Sequence, residues 1–243
     1  MKRLLLISLI SSALISNSNA GGMGDSNLSV NPFFSLEGGY AWNSIDGYNY
    51  SITGSNTSLT STEKNDGFAA RLAAGMISMW DDQFGLTGEV AWGYYGKSSY
   101  SPTTGTGIAA APVNLTISNT LTGFDALFGI SYIQTYFTLS GKVGAMIQNM
   151  STKSNASIAP FGFPLIDTLE IKTNKAAVLP EIKLGAAYNI NENLAITGSY
   201  LVAFGASPKT TGNLNLGTLR ASLNVNDQNP TVNAALFGVQ YTA

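Results

Sequence analysis

The stretch Phe34-Ser35-Leu36-Glu37-Gly38-Gly39-Tyr40-Ala41-Trp42-Asn43 alternates with period two. Large apolar side chains take one parity. Small or polar ones, with a single carboxylate, take the other. That is a strand with one apolar face, since successive side chains in a strand point to opposite sides. The pattern returns seven times along the 243 residues, near Phe68–Met76, Phe84–Tyr94, Phe124–Tyr132, Phe137–Ile147, Val178–Tyr188, Leu194–Phe204 and Ala235–Tyr241. Eight strands of about 10 residues each have the length that a tilted strand needs to cross a bilayer.

The connections alternate too. Short ones fall near Met79–Asp82, Ile133–Thr135 and Ile190–Glu192. Long polar ones fall near Ser44–Asp66, Lys97–Thr116, Ser151–Lys175 and Ala206–Asn229. Short turns at one end and long loops at the other are the layout of an outer-membrane barrel, with turns in the periplasm and loops outside. Aromatic residues gather at both strand ends. Phe34, Trp80, Phe84, Tyr132, Phe137, Tyr188 and Tyr241 lie toward the turns; Tyr40, Trp42, Trp92, Tyr94, Tyr200 and Phe204 lie toward the loops. Two aromatic girdles around an aliphatic middle suit a wall that faces lipid. A soluble barrel would turn its apolar face inward and a charged face outward. Here the second face is mostly Gly, Ala, Ser and Thr, a poor water-facing surface. The expected fold is therefore an all-β, eight-stranded antiparallel up-and-down transmembrane β-barrel.

Composition agrees. Charged residues make up 11% of the chain against 44% hydrophobic ones, and neither cysteine nor histidine occurs. A soluble domain carries about 25% charge. Without cysteine there is no disulfide framework or thiolate metal site. Without histidine there is no Ser-His-Asp triad, His-ligated zinc or His general base. A formal net charge of −2 argues against a nucleic-acid partner. At the N-terminus, Lys2 and Arg3, the apolar run Leu4–Ile15 and the small-x-small triplet Ser18-Asn19-Ala20 read as a secretory signal peptide cleaved after residue 20. Residues 21–32 form a short periplasmic lead, and 33–243 the barrel.

Seven charges fall inside the strands: Glu37, Arg71, Glu89, Asp125, Lys142, Glu181 and Lys183. All take the small-residue parity near mid-strand, so a closed barrel brings them to one level of its lumen. An eight-stranded lumen is only wide enough to be filled by its own side chains. A lone buried charge costs several kcal/mol, so pairing is expected. Strand adjacency sets Arg71 between Glu37 and Glu89, and Lys142 near Asp125 or Glu181. A plug that packs the lumen is preferred over an acid-base site or ion path, because a filled lumen has no room for substrate. Pro180 lacks a ladder donor and belongs in the upper part of its strand or at a bulge.

These residues carry a resemblance. The signal peptide, the eight strands, Phe34-Ser35-Leu36-Glu37-Gly38-Gly39-Tyr40 and the closing Phe237-Gly238-Val239-Gln240-Tyr241 resemble the small outer-membrane barrels of the OmpA, OmpX and opacity-protein superfamily. The resemblance covers the mature chain, without a peptidoglycan-binding domain. It departs at the end, where Tyr241 is followed by Thr242 and Ala243 rather than closing the chain on an aromatic residue. It implies an outer-membrane protein of a Gram-negative bacterium, inserted by the barrel assembly machinery. Such a protein works in envelope structure or adhesion, or alternatively as a narrow porin-like channel for small or apolar solutes. The resemblance also implies that the protein is not an enzyme, since the barrel enzymes of this membrane look to require a catalytic histidine and this chain has none; no metal or cofactor is expected.

A plugged lumen leaves function to the loops. Phe161, Phe163, Leu165 and Ile166 form an apolar stretch in the third loop, either a patch for a host or envelope protein or a lid packed on Ile108–Val113 of the second. Leu216, Leu219 and Leu223 in the fourth loop have helical spacing. Leu169-Glu170-Ile171-Lys172 suits a strand hairpin extended beyond the bilayer. Lys97, Lys153, Lys172, Lys175, Lys209 and Arg220 are candidates for contact with outer-membrane lipid and lipopolysaccharide, whose headgroups are anionic.

Overall fold

The computed structural model describes residues 30–44, 59–64, 66–104, 113–158, 169–205, 212–216, 219–223 and 230–243. The signal peptide, Phe161, Phe163, Leu165, Ile166 and Lys209 lie outside them. The strands are β1 (Val30–Ser44), β2 (Leu59–Lys64), β3 (Asp66–Met79), β4 (Phe84–Thr104), β5 (Val113–Ile133), β6 (Phe137–Ile158), β7 (Leu169–Asn189), β8 (Leu194–Ala203), β9 (Gly212–Leu216), β10 (Leu219–Leu223) and β11 (Thr231–Thr242). Eight of them close a barrel in the order β1-β3-β4-β5-β6-β7-β8-β11. Every pairing is antiparallel. The β1–β11 ladder, running from Phe33↔Thr242 to Ser44↔Thr231, shuts the cylinder. Closure satisfies the backbone groups of the wall internally, which a lipid environment requires.

The three short connections are the bends at 80–83, 134–136 and 190–193. In the last, Asn191 Oδ1 accepts from the N–H groups of Asn193 at 3.0 Å and Leu194 at 2.8 Å, the local bonding that makes Asn a turn residue. The two chain ends meet beside it. Ala243 N–H donates to Pro32 O at 2.9 Å, and Thr242 N–H to Asn193 O at 2.8 Å. The residues after Tyr241 are thus stitched into the turn end. Val30–Pro32, expected in the lead, are already strand and pair with β3.

The loop end is uneven. β4 to β7 are 21 or 22 residues long, against 10 for β8 and 12 for β11. Much of the expected second and third loops is therefore hairpin, and Leu169-Glu170-Ile171-Lys172 is strand, paired with β6. Val113 and Ile158, at the borders of the two apolar loops, are register partners. The first loop holds β2, which pairs with Ser99–Thr104 of β4. Leu216, Leu219 and Leu223 are not helical: β9 and β10 pair as a hairpin with Leu219 opposite Leu216. In a hairpin the same spacing spreads over two strands, so the helical period had no physical basis there.

Period two holds around the wall. Leu36 and Leu72 are register partners and are 60% and 58% exposed. Phe34, Phe68, Phe128, Val178, Tyr188 and Phe237 are exposed likewise. Near the turns Trp80, Phe84, Tyr132 and Phe137 form a chain of ring contacts with centroids 5.1–6.4 Å apart. Near the loops Tyr40, Trp42 and Tyr200 do the same at 5.8 and 6.4 Å. Soluble proteins rarely expose apolar patches beyond a few hundred Å². A continuous belt of this kind faces lipid.

Candidate functional site: the lumen and the raised sheet

All seven strand charges point into the lumen and are buried, from Asp125 at 0% to Lys142 at 7% exposure. Glu37 on β1 and Arg71 on β3 are direct register partners. Arg71 reaches three carboxylates: Glu37 at 2.9 Å, Glu89 at 2.5 Å and Asp125 at 2.6 Å. Its Nε also donates to Asp125 Oδ2 at 3.2 Å, so Asp125 receives the guanidinium as a two-pronged fork. Lys183 bonds both Glu37 oxygens at 3.0 Å and Glu89 Oε1 at 3.1 Å. Lys142 pairs with Glu89 Oε2 and lies 5.2 Å from the centroid of the Phe33 ring.

Arg71 does sit between Glu37 and Glu89, with Asp125 added. The placement of Lys142 near Asp125 or Glu181 is corrected, because its partner is Glu89. Strand adjacency misleads here since long side chains reach across the lumen as readily as along the wall. Glu89 is the hub, touching all three cations. Glu181 is buried to 1%, and neither of its carboxylate oxygens has a hydrogen-bond partner among the described residues.

Above this layer, toward the loops, lies an apolar disc. Tyr95, Leu121, Met146, Leu179, Leu201 and Leu236 are buried there in one cluster. The expected small-residue lining missed it, although Leu179 shares parity with Glu181 and Leu121 with Asp125. Glycines make the room. A Cβ on Gly93 would lie 2.6 Å from the Tyr95 ring, and one on Gly123 would lie 2.8 Å from the Met146 side chain. A bulge in β4 sets Tyr95. Tyr95 and Gly96 together stand opposite Leu121, with Gly96 at φ +92°, a conformation that favours glycine. Past the bulge the inward parity switches, so Ser98 is buried and Lys97 exposed. The Tyr95 hydroxyl donates to Asp125 Oδ2 at 3.2 Å, which ties the disc to the charge layer.

Below the layer, toward the turns, the lumen is hollow. A cavity of about 560 Å³ has Glu37, Glu89, Lys142 and Lys183 among its lining and reaches the turn residues Tyr136 and Asn191. The lumen is thus not filled along its whole length, which corrects the expectation from barrel width alone. Serines and threonines at the turn side are too short to meet at the axis.

Outside the barrel the raised strands form a sheet in the order β2-β4-β5-β6-β7. Residues 169–179 of β7 pair with β6, while the β7–β8 ladder starts only at Glu181↔Ala203. Phe204 N–H donates to Pro180 O at 2.8 Å, so residue 180 faces the β8 side. Pro180 sits where that ladder ends, and its missing N–H costs no strand pairing. By alternation Asn174, Ala176 and Val178 direct their backbone groups to the same side. No described strand meets them there. Lys97, Lys153 and Lys172 are exposed on this sheet, with Lys153 and Lys172 register partners; Lys175 is half-buried.

No protein-family model and no curated protein matches the chain. Solved structures do resemble it. Ail, the attachment invasion locus protein of Yersinia pestis, is 15% identical with a TM-score of 0.35, covering 87% of this chain and 98% of its own. Neisserial surface protein A is 12% identical with a TM-score of 0.37, covering 88% and 98%. A major outer membrane protein from Thermus thermophilus is 15% identical with a TM-score of 0.41, covering 87% and 99%. At these values the assignment rests on the chain's own geometry: a closed eight-strand ladder, an apolar outer wall and charges turned inward. The molecule is a small eight-stranded antiparallel transmembrane β-barrel.

Proposed function

We propose that this barrel is an outer-membrane protein of a Gram-negative bacterium, delivered by its signal peptide, that works at the cell surface through the raised sheet. In this reading the lumen is a structural plug. The β7 edge accepts an extended, acidic segment of a host or envelope protein as an added strand. The supporting observation is that no described strand meets the backbone of Asn174, Ala176 and Val178, above the end of the β7–β8 ladder. An unpaired strand edge is a template for another chain, and main-chain hydrogen bonds supply the affinity. The exposed Lys97 and Lys153 favour an acidic partner.

The narrow-channel alternative gains no support from the geometry, since the cavity's lining stops at the charge layer. Asn174→Pro tests the surface reading. Proline at 174 removes an edge-facing donor and leaves the bonds to β6 in place. Purified, refolded barrel is measured against candidate host and envelope proteins. Asn174→Pro is expected to lose binding, while deletion of residues 159–168 reports on the apolar loop separately. Undiminished binding by Asn174→Pro would overturn the edge as the docking site.

A further inference from the structure

The hollow turn-side half of the lumen is a built cavity. Its wall carries the hydroxyls of Ser35, Thr87, Ser131, Ser140, Thr197 and Ser199. Thr87 is 1% exposed and Thr197 is 8% exposed, and the hydroxyl oxygens of both are buried with no hydrogen-bond partner among the described residues. Ser199 donates to Glu37 Oε1 at 3.2 Å, so the wall connects to the floor. The floor holds two carboxylates and two ammonium groups already paired with one another: Glu37 and Glu89 with Lys142 and Lys183.

This arrangement selects by charge. An entering anion meets a layer with four carboxyl groups and three cations. An entering cation competes with Lys142 and Lys183, whose ammonium groups already hold the floor carboxylates. An uncharged molecule leaves the ion pairs intact. The hydroxyl wall asks for a ligand that both donates and accepts hydrogen bonds. The Phe33 ring adds an apolar surface beside Lys142. A volume of about 560 Å³ is within the range of small-molecule sites, roughly 300–1,000 Å³.

We propose that this vestibule binds a small uncharged polyhydroxylated solute, a sugar or polyol, that enters from the turn end. The serine hydroxyls of the wall, which both donate and accept, supply the partners such a solute needs. The site is independent of the raised sheet, so either proposal can fail without the other.

The test is titration of the full refolded chain, isotopically labelled in detergent micelles, with sucrose as the probe and backbone amide shifts as the readout. Saturable shifts are expected at Ser35, Thr87, Ser131 and Ser140, and none at Ser98 beyond the apolar disc. Ser140→Ala removes one hydroxyl of the cavity wall. It should weaken binding about fivefold, the share of a single hydrogen bond. Ser140→Leu should narrow the vestibule and weaken the shifts further; Ser140→Ala remains the test if that bulkier variant does not fold. Acetate and ethylammonium should produce no saturable response. Shifts spread evenly over the surface, no shift at any sucrose concentration, or tighter binding of either ion would overturn the proposal.

Discussion

Lys142 and Lys183 are direct cross-strand partners on β6 and β7, and both ammonium groups reach one carboxylate, Glu89. Like charges placed directly opposite one another destabilise a sheet. The arrangement survives because an acid on β4 bridges them across the lumen. Arg71 binds the same acid and is held in turn by Glu37 and Asp125. Six of the seven charges therefore form one connected unit, with Glu181 beside it, and they differ in how much depends on them.

Removing the hub should be costly. Glu89→Gln leaves Lys142 without its carboxylate partner and deprives Lys183 and Arg71 of one each. Breaking a buried ion pair from one side costs about 3–5 kcal/mol. Urea unfolding of the refolded barrel in lipid vesicles should show a loss of that size. A loss below about 1 kcal/mol would mean that the layer is hydrated and loosely coupled.

Glu181→Gln should behave in the opposite way. Its carboxylate has no hydrogen-bond partner among the described residues, so the amide gives up no such bond. The same unfolding measurement should show a change within about 1 kcal/mol, or a gain. A loss comparable to that of Glu89→Gln would show that Glu181 belongs to the ion-pair unit after all.

The apolar disc should obey core rules although it lies inside a barrel. Leu201 is fully buried there. Leu201→Ala should cost about 2–5 kcal/mol, the transfer term plus a cavity. A near-zero effect would mean that water already fills that level.

The outer wall is tested at its middle. Leu72 is exposed and lies opposite Leu36. Leu72→Arg should cost about 2–4 kcal/mol in a bilayer, as for a cation at the midplane of a barrel wall. In the absence of lipid the charge would be tolerated. Equal stability of the two proteins in vesicles would contradict a lipid-facing position.

The barrel was legible because period two is strict where one face meets lipid. Phe34, Leu36, Tyr40 and Trp42 cannot slip by one residue without turning a whole face inward. The same parity put all seven charges in the lumen. Their partners were less legible. Lys142 goes to Glu89 because pairing across a lumen depends on side-chain reach and barrel shear, which no single strand records. The disc was hidden for another reason. Leu121, Met146, Leu179, Leu201 and Leu236 are apolar residues on the polar face, and each looks like an isolated exception until closure gathers them. The β9–β10 hairpin shows the limit of short-range spacing, since three leucines fit one face of a helix or two strands of a hairpin equally well. The raised sheet follows from strand pairs running past the membrane, where alternation no longer separates lipid from lumen.

The proposed function rests on the charge layer and disc together sealing the lumen, which would leave the outside of the barrel to act. Planar-bilayer recording of the purified, refolded full chain tests it most directly. The account predicts a flat baseline at applied voltage, unchanged by Lys142→Ala. Reproducible unitary current steps from the intact barrel, altered by Lys142→Ala, would contradict it.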